Sequence, residues 1–158
     1  MQNEITTLIM SALPVIELRG AIPVAMLGFK FSASKAFLIA VIGNSLPVIP
    51  AFFFLNRFSD YLMHRWYPYN RLMNWLFERA RRKHLDHFHQ WKWTQLALFL
   101  FVAIPLPMTG AWSGIIAAYI LGIPFWRSIG TIFLGIMTAG VIVTALTSLG
   151  FLAVRSFF

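Results

Sequence analysis

The stretch Pro14-Val-Ile-Glu-Leu-Arg-Gly-Ala-Ile-Pro23 constrains this chain more than any other. It sets an acid, a base, a glycine and two prolines inside a run that is otherwise apolar from Ile5 to Leu27. A charge at the centre of a membrane-spanning helix costs roughly 2.5–3.5 kcal/mol on insertion scales, so Glu17 and Arg19 read as functional. The breakers beside them say how such charges are tolerated. Pro14 and Pro23 lack backbone donors, and Gly20 permits a tight turn. Broken backbone at membrane depth persists only when it is packed in protein or lines a wet cavity. The stretch therefore predicts a re-entrant hairpin, with a half-helix in, a polar turn near the midplane and a half-helix out.

A second stretch repeats the pattern. Pro105-Leu-Pro-Met-Thr-Gly-Ala-Trp-Ser-Gly114 again sets prolines before a Gly-Ala pair inside an apolar run. Gly20-Ala21 and Gly110-Ala111 lie 90 residues apart, and Leu27-Gly28 matches Leu121-Gly122 after a short insertion. Repeated halves with interrupted apolar segments at matching positions point to a transporter-type binding site. Two proline-kinked helices of chance similarity are the competing explanation.

Composition sets the class. Of 158 residues, 59% are hydrophobic and 11% charged, against roughly 25% charged in soluble domains. Mean hydropathy is +0.72. A soluble core of this size cannot hide so much apolar surface, which predicts an all-α integral membrane protein. The absence of cysteine removes disulfides, thiol catalysis and cysteine metal sites. Met1-Gln-Asn-Glu4 carries no basic n-region, so no removable signal peptide is read here.

In order, the first repeat (about 4–55) reads as a leg over Ile5–Leu13, a return over Ala21–Leu27, a polar connection through Gly28–Ser34 with Ser34 as N-cap, and a full span over Ala36–Leu55. Gly43-Asn-Ser-Leu-Pro47 and Pro50 predict a kink in that span, with Asn44 turned toward protein or water as a helix tie or a site residue. Residues 56–93 hold eight of the thirteen basic residues, with apolar positions near helical spacing and seven Trp or Tyr. They read as an amphipathic helix on the cytoplasmic membrane surface. A nucleic-acid interface has no module signature to support it. His84, His87 and His89 with Asp86 lack the spacing of a metal site, and no metal or other cofactor is expected. The second repeat (about 94–156) gives legs over Gln95–Ile104 and Gly114–Leu121 and a span over Ile129–Val154. In that span Gly135 and Ala139 form a small-xxx-small pattern.

Two topologies satisfy the positive-inside rule. Hairpins make the two halves inverted and leave the C-terminus outside; four ordinary spans leave it inside. In the hairpin arrangement two half-helix N-termini and Arg19 converge, which favours an anionic group, phosphate above all. Glu17 either neutralises Arg19 or titrates and couples transport to protons. Thr109 adds a hydroxyl at the second turn. The candidate substrate-binding set is Glu17, Arg19, Gly20, Pro23, Asn44, Pro105, Pro107, Thr109 and Gly110, with Glu17 also the candidate for proton coupling. No nucleophile–base pair suggests an enzyme.

Glu17-Leu-Arg-Gly-Ala-Ile-Pro23 together with Pro105-Leu-Pro-Met-Thr-Gly-Ala-Trp112 resembles the small multi-drug export protein family. That family is in turn similar to the DedA superfamily, whose members carry paired re-entrant hairpins, each followed by a spanning helix. The resemblance covers most of the chain except the basic middle. It implies a transporter in the cytoplasmic membrane of a prokaryote, and DedA-like relatives act on lipid carriers such as polyprenyl phosphates. DedA proteins usually add spans and further hairpin acids and arginines, which this shorter chain lacks. The combined expectation is a transporter or flippase for a small amphiphile with an anionic head. The alternatives are a proton-coupled exporter of cationic compounds and a membrane scaffold acting through residues 56–93. Membrane lipids are the expected partners, and two full spans enclose so little that a homodimer is allowed.

Overall fold

The computed structural model describes residues 1–65, 71, 90–106 and 109–157. Every regular element among them is helical. The first half comprises α1 (Gln2–Ala12), α2 (Glu17–Pro23) continuing into a π-helical turn (Val24–Gly28), α3 (Ala33–Ser45) and α4 (Val48–Arg65). The second comprises α5 (Gln90–Ala103), α6 (Ala111–Ile120) and α7 (Phe125–Phe157). The expected amphipathic connector, its histidines and Pro107 lie outside the described residues, save for the two ends of the connector.

Local chemistry accounts for most boundaries. Pro14 falls in the turn between α1 and α2, and Leu46-Pro47 breaks α3 from α4, because proline cannot donate to the preceding turn. The interruption falls where a kink is expected, and Leu46 itself keeps helical backbone angles. Helix α3 starts earlier than expected, and its cap is Ser32 rather than Ser34: the Ser32 hydroxyl accepts from the Lys35 backbone N–H at 3.4 Å. Helix α6 ends in a Schellman motif. Gly122 takes φ +66°, its N–H donates to Tyr119 O, and the Ile123 N–H donates to Ala118 O. Gly28 closes the π-helical turn at the matching place in the first half.

Packing then orders the helices. Lys35 Nζ pairs with the Glu4 carboxylate, and Gly43 lies against Leu8 and Ser11. Helices α1 and α3 therefore run in the same direction, with the end of α1 beside Gly43. Helix α7 runs opposite to α3 and α4, since Gly140 packs on Phe37 and Val41 while Phe125 meets Phe52 edge-on at 5.4 Å. Gly135 receives Val102 of α5, so the small-xxx-small pattern serves a contact within the chain.

The buried stripe of α7, Ser128, Ile132, Ile136, Ala139 and Val143, repeats every three or four residues and faces Leu18, Ile22, Val41, Leu98 and Ile115. The opposite faces are apolar as well. Leu38, Ile42, Leu46, Ile49 and Phe53 are exposed along the first long segment, and Leu134, Met137, Val141 and Leu149 along α7. Two segments, Ala33–Phe58 and Phe125–Ala153, have the length and hydropathy to cross a membrane, and only 33% of the most apolar 18-residue stretch of each is buried. A helix that is apolar all round yet mostly unburied needs a non-aqueous surround.

Candidate functional site

Two broken segments meet at one place. The turn after α1 delivers Glu17 and Arg19, and the stretch just before α6 delivers Thr109 and Gly110 from the other half. Arg19 Nη2 donates to the Thr109 hydroxyl at 3.2 Å, across 90 residues of sequence. The same guanidinium stands 3.6 Å from the Glu17 carboxylate. The Trp112 indole N–H donates to the Ala12 carbonyl at 3.1 Å, tying the start of α6 to the end of α1.

Glu17 is the most constrained of these groups. It is 7% exposed and begins α2 at φ +51°, a conformation that costs a non-glycine residue about 1–3 kcal/mol. Its carboxylate lies directly on Gly110, where any Cβ would collide with it, and the Trp112 backbone N–H is directed at it. Gly110 itself has φ 164°, extended backbone that any residue can adopt. Glycine is needed there for space.

Thr109 holds the loop together. Besides receiving Arg19, its hydroxyl accepts from the Leu106 N–H at 3.2 Å and reaches the carbonyls of Ile104 and Leu106 at 2.9 Å. The expected substrate hydroxyl is therefore engaged in shaping the second turn.

Between the two turns is a narrow cavity, too tight to admit a water molecule, lined by Glu17, Leu18, Arg19, Asn44, Val102, Gly110, Ala111, Ile136 and Ala139. Asn44 comes from the last turn of α3, is 1% exposed, and its Oδ1 has no hydrogen-bond partner. A buried amide oxygen left unpaired costs about 1–3 kcal/mol, so this oxygen is a polar group of the cavity wall with spare hydrogen-bonding capacity.

Of the residues expected at the site, Glu17, Arg19, Asn44 and Gly110 come together around the cavity, with Thr109 in direct contact with Arg19. Gly20 packs against Ile16 instead, and Pro23 closes α2 a turn beyond the cavity lining. Pro105 lies in the loop that Thr109 shapes. Val102, Ala111, Trp112, Ile136 and Ala139 belong to the site and had only their apolar or aromatic character to mark them. Among the described residues no cluster of histidine and acidic side chains could hold a metal ion.

Comparison with known proteins follows the same two motifs. A family model described as "Putative small multi-drug export protein" matches residues 17–142, a stretch that begins at Glu17, just after the first turn, and contains Glu17–Pro23 and the whole second turn. No curated protein and no solved structure matches the chain.

Proposed function

The chain belongs to the small multi-drug export protein family, and from that premise we propose that it is a membrane transporter, not an enzyme, for a small amphiphile with an anionic head of phosphate type. The single observation carrying the reading is the guanidinium of Arg19, held by both halves beside a cavity with an unpaired amide oxygen. An arginine placed so deep among apolar helices marks a substrate or ion path, and its planar donor fork suits phosphate oxygens.

In this reading α1–α2 and α5–α6 are re-entrant hairpins in two inverted halves. The depth of the turns supports it. Gly43 and Asn44, level with the first turn, lie about 16 Å along the first long segment at 1.5 Å per residue, close to the middle of a ~30 Å hydrocarbon core. Ile136 and Ala139, level with the second turn, lie about 17–21 Å along α7 by the same rise. The opposed directions of α3–α4 and α7 support inversion. So does the meeting of Arg19 with Thr109, since matching positions near a two-fold axis face each other. Arg57 and Arg127 fall at the end that carries the basic 56–93 segment, and Lys30 and Lys35 at the other. The positive-inside rule then sets the 56–93 side in the cytoplasm of a prokaryotic inner membrane.

The test is Arg19→Ala in reconstituted vesicles, scoring translocation of a fluorescent alkyl phosphate. Loss of translocation with normal insertion is the expected result, and unchanged activity removes the proposal. A reporter fused after Phe158 checks the hairpins: they set it outside, whereas four ordinary spans set it in the cytoplasm. Export of cationic compounds is the second reading, favoured by the buried carboxylate of Glu17. Glu17→Gln in a drug-resistance assay separates it, because only that reading predicts lost resistance.

A further inference from the structure

The second turn has the makings of an anion site, and that site is already filled. Helix α6 presents free backbone N–H groups at Ala111 and beyond, the place where a helix of ten residues would hold an anion. What occupies it is the Glu17 carboxylate, delivered from the first turn. The carboxylate reaches that position through a left-handed backbone at Glu17 and through the missing side chain at Gly110. A second, independent feature points to a ligand. Asn44, 1% exposed, lines the same cavity with its Oδ1 unpartnered, so the Glu17 carboxylate fills the α6 end and leaves the amide unserved.

We infer that Glu17 is a tethered stand-in for the substrate's anionic head, and that head and carboxylate take turns at the start of α6. The inference rests on the transporter reading above and adds how the site is controlled. A phosphate-type head bridges Arg19, the α6 N–H groups and Asn44, whereas the carboxylate serves only the first two. Charge decides when the exchange occurs. Arg19 is the cation of the cavity and faces Glu17 from α2. From α3 comes the neutral Asn44, from α6 the Gly110 and Ala111 backbone with the Trp112 N–H, and from α5 and α7 only Val102, Ile136 and Ala139. One guanidinium cannot neutralise both a carboxylate and an anionic head in an apolar surround. The head therefore enters as Glu17 takes up a proton, and the carboxyl leaves the helix end as a neutral group. A monoanionic head is bound with one proton.

Titration calorimetry on the full chain in uncharged micelles tests this, using dimethyl phosphate as the bare head and dihexyl phosphate as the same head with chains. Both probes stay monoanionic from pH 6 to 8, so any pH dependence belongs to the protein. Repeating the titrations in buffers of different ionisation enthalpy counts the protons taken up. For the wild type we expect about one proton per anion and affinity falling roughly tenfold per pH unit where Glu17 is ionised. Glu17→Gln should bind at least about tenfold more tightly at pH 8, with no proton uptake and no pH dependence. Arg19→Gln should lose binding. Tighter binding of dihexyl than dimethyl phosphate identifies an amphiphile, and equal binding a free phosphate group. Wild-type binding without proton uptake, or Glu17→Gln binding no more tightly than wild type at pH 8, overturns the exchange. If Arg19→Gln still abolishes binding in that case, the transporter reading stands. Should no folded variant bind either probe at pH 6, both fall. If Glu17→Gln does not fold, the wild-type proton count decides alone.

Discussion

Replacing Gly43 with alanine tests the contact that sets the depth of the first turn. A Cβ built on Gly43 collides with the Ser11 hydroxyl and stands 2.5 Å from Leu8 O and 3.1 Å from Leu8 Cα. Two of those three neighbours are backbone, so no side-chain rotation relieves them, and α1 must move away from α3 by about 1 Å to restore ordinary contact distance. Overpacking of this kind costs about 1–3 kcal/mol. Alanine also returns about 0.5–1 kcal/mol of helix preference, which a matched control removes. Gly130→Ala, in α7 with nothing within 4 Å, gains that preference and meets no clash. The difference between the two variants is therefore the overpacking cost alone, about 1–3 kcal/mol. At about 2–4 °C per kcal/mol for a chain of this size, thermal unfolding by circular dichroism in micelles should separate them by on the order of 5 °C. Equal stability of the two variants would refute the reasoning. Helix α1 would then not rest on Gly43, and the first turn would not stand at the level of Asn44.

Three further outcomes follow from the site and its surroundings. Gly110→Ala suits its extended backbone but puts a Cβ where the Glu17 carboxylate, and in its turn the substrate's head, has to sit, so vesicle translocation should be lost, whereas Gly150→Ala, with open space around it, should leave translocation intact. Thr109→Val strips an acceptor from the Leu106 N–H and from Arg19 and should cost about 1–3 kcal/mol in chemical denaturation, with Thr109→Ser restoring most of it. At the mouth of the first half, the Lys35 ammonium, through hydrogen bond and charge, and then the N-terminal ammonium hold the Glu4 carboxyl below its usual range. A carboxyl lowered in the folded state contributes stability that is fully present above its unfolded value, near pH 4.3, and is lost as pH falls through the folded one. Melting curves should therefore be flat near neutrality and drop at acid pH by an amount that Glu4→Gln abolishes.

Sequence by itself determined the membrane class, because composition and hydropathy are sums over residues and need no partner. It also determined the two interrupted segments, since proline, glycine and charge act on the chain immediately around them. Even the ends of the short helices were marked by Leu27-Gly28 and Leu121-Gly122. Where neighbouring residues competed, as Ser32 and Ser34 did for the cap of α3, the local pattern picked the wrong one, because a single hydrogen bond to the Lys35 N–H decides it. Only the tertiary structure decided what the site residues do. Arg19 and Thr109 are 90 residues apart, and Glu17 and Gly110 are further apart still. Thr109 became a loop clasp that also receives Arg19, Gly110 a seat for a carboxylate, and Asn44 a buried amide with an unpaired oxygen, because each environment depends on how the two halves pack. Propensity and spacing act over a few residues, whereas which groups converge is settled by the packing of α3 on α7 and of each turn against the other.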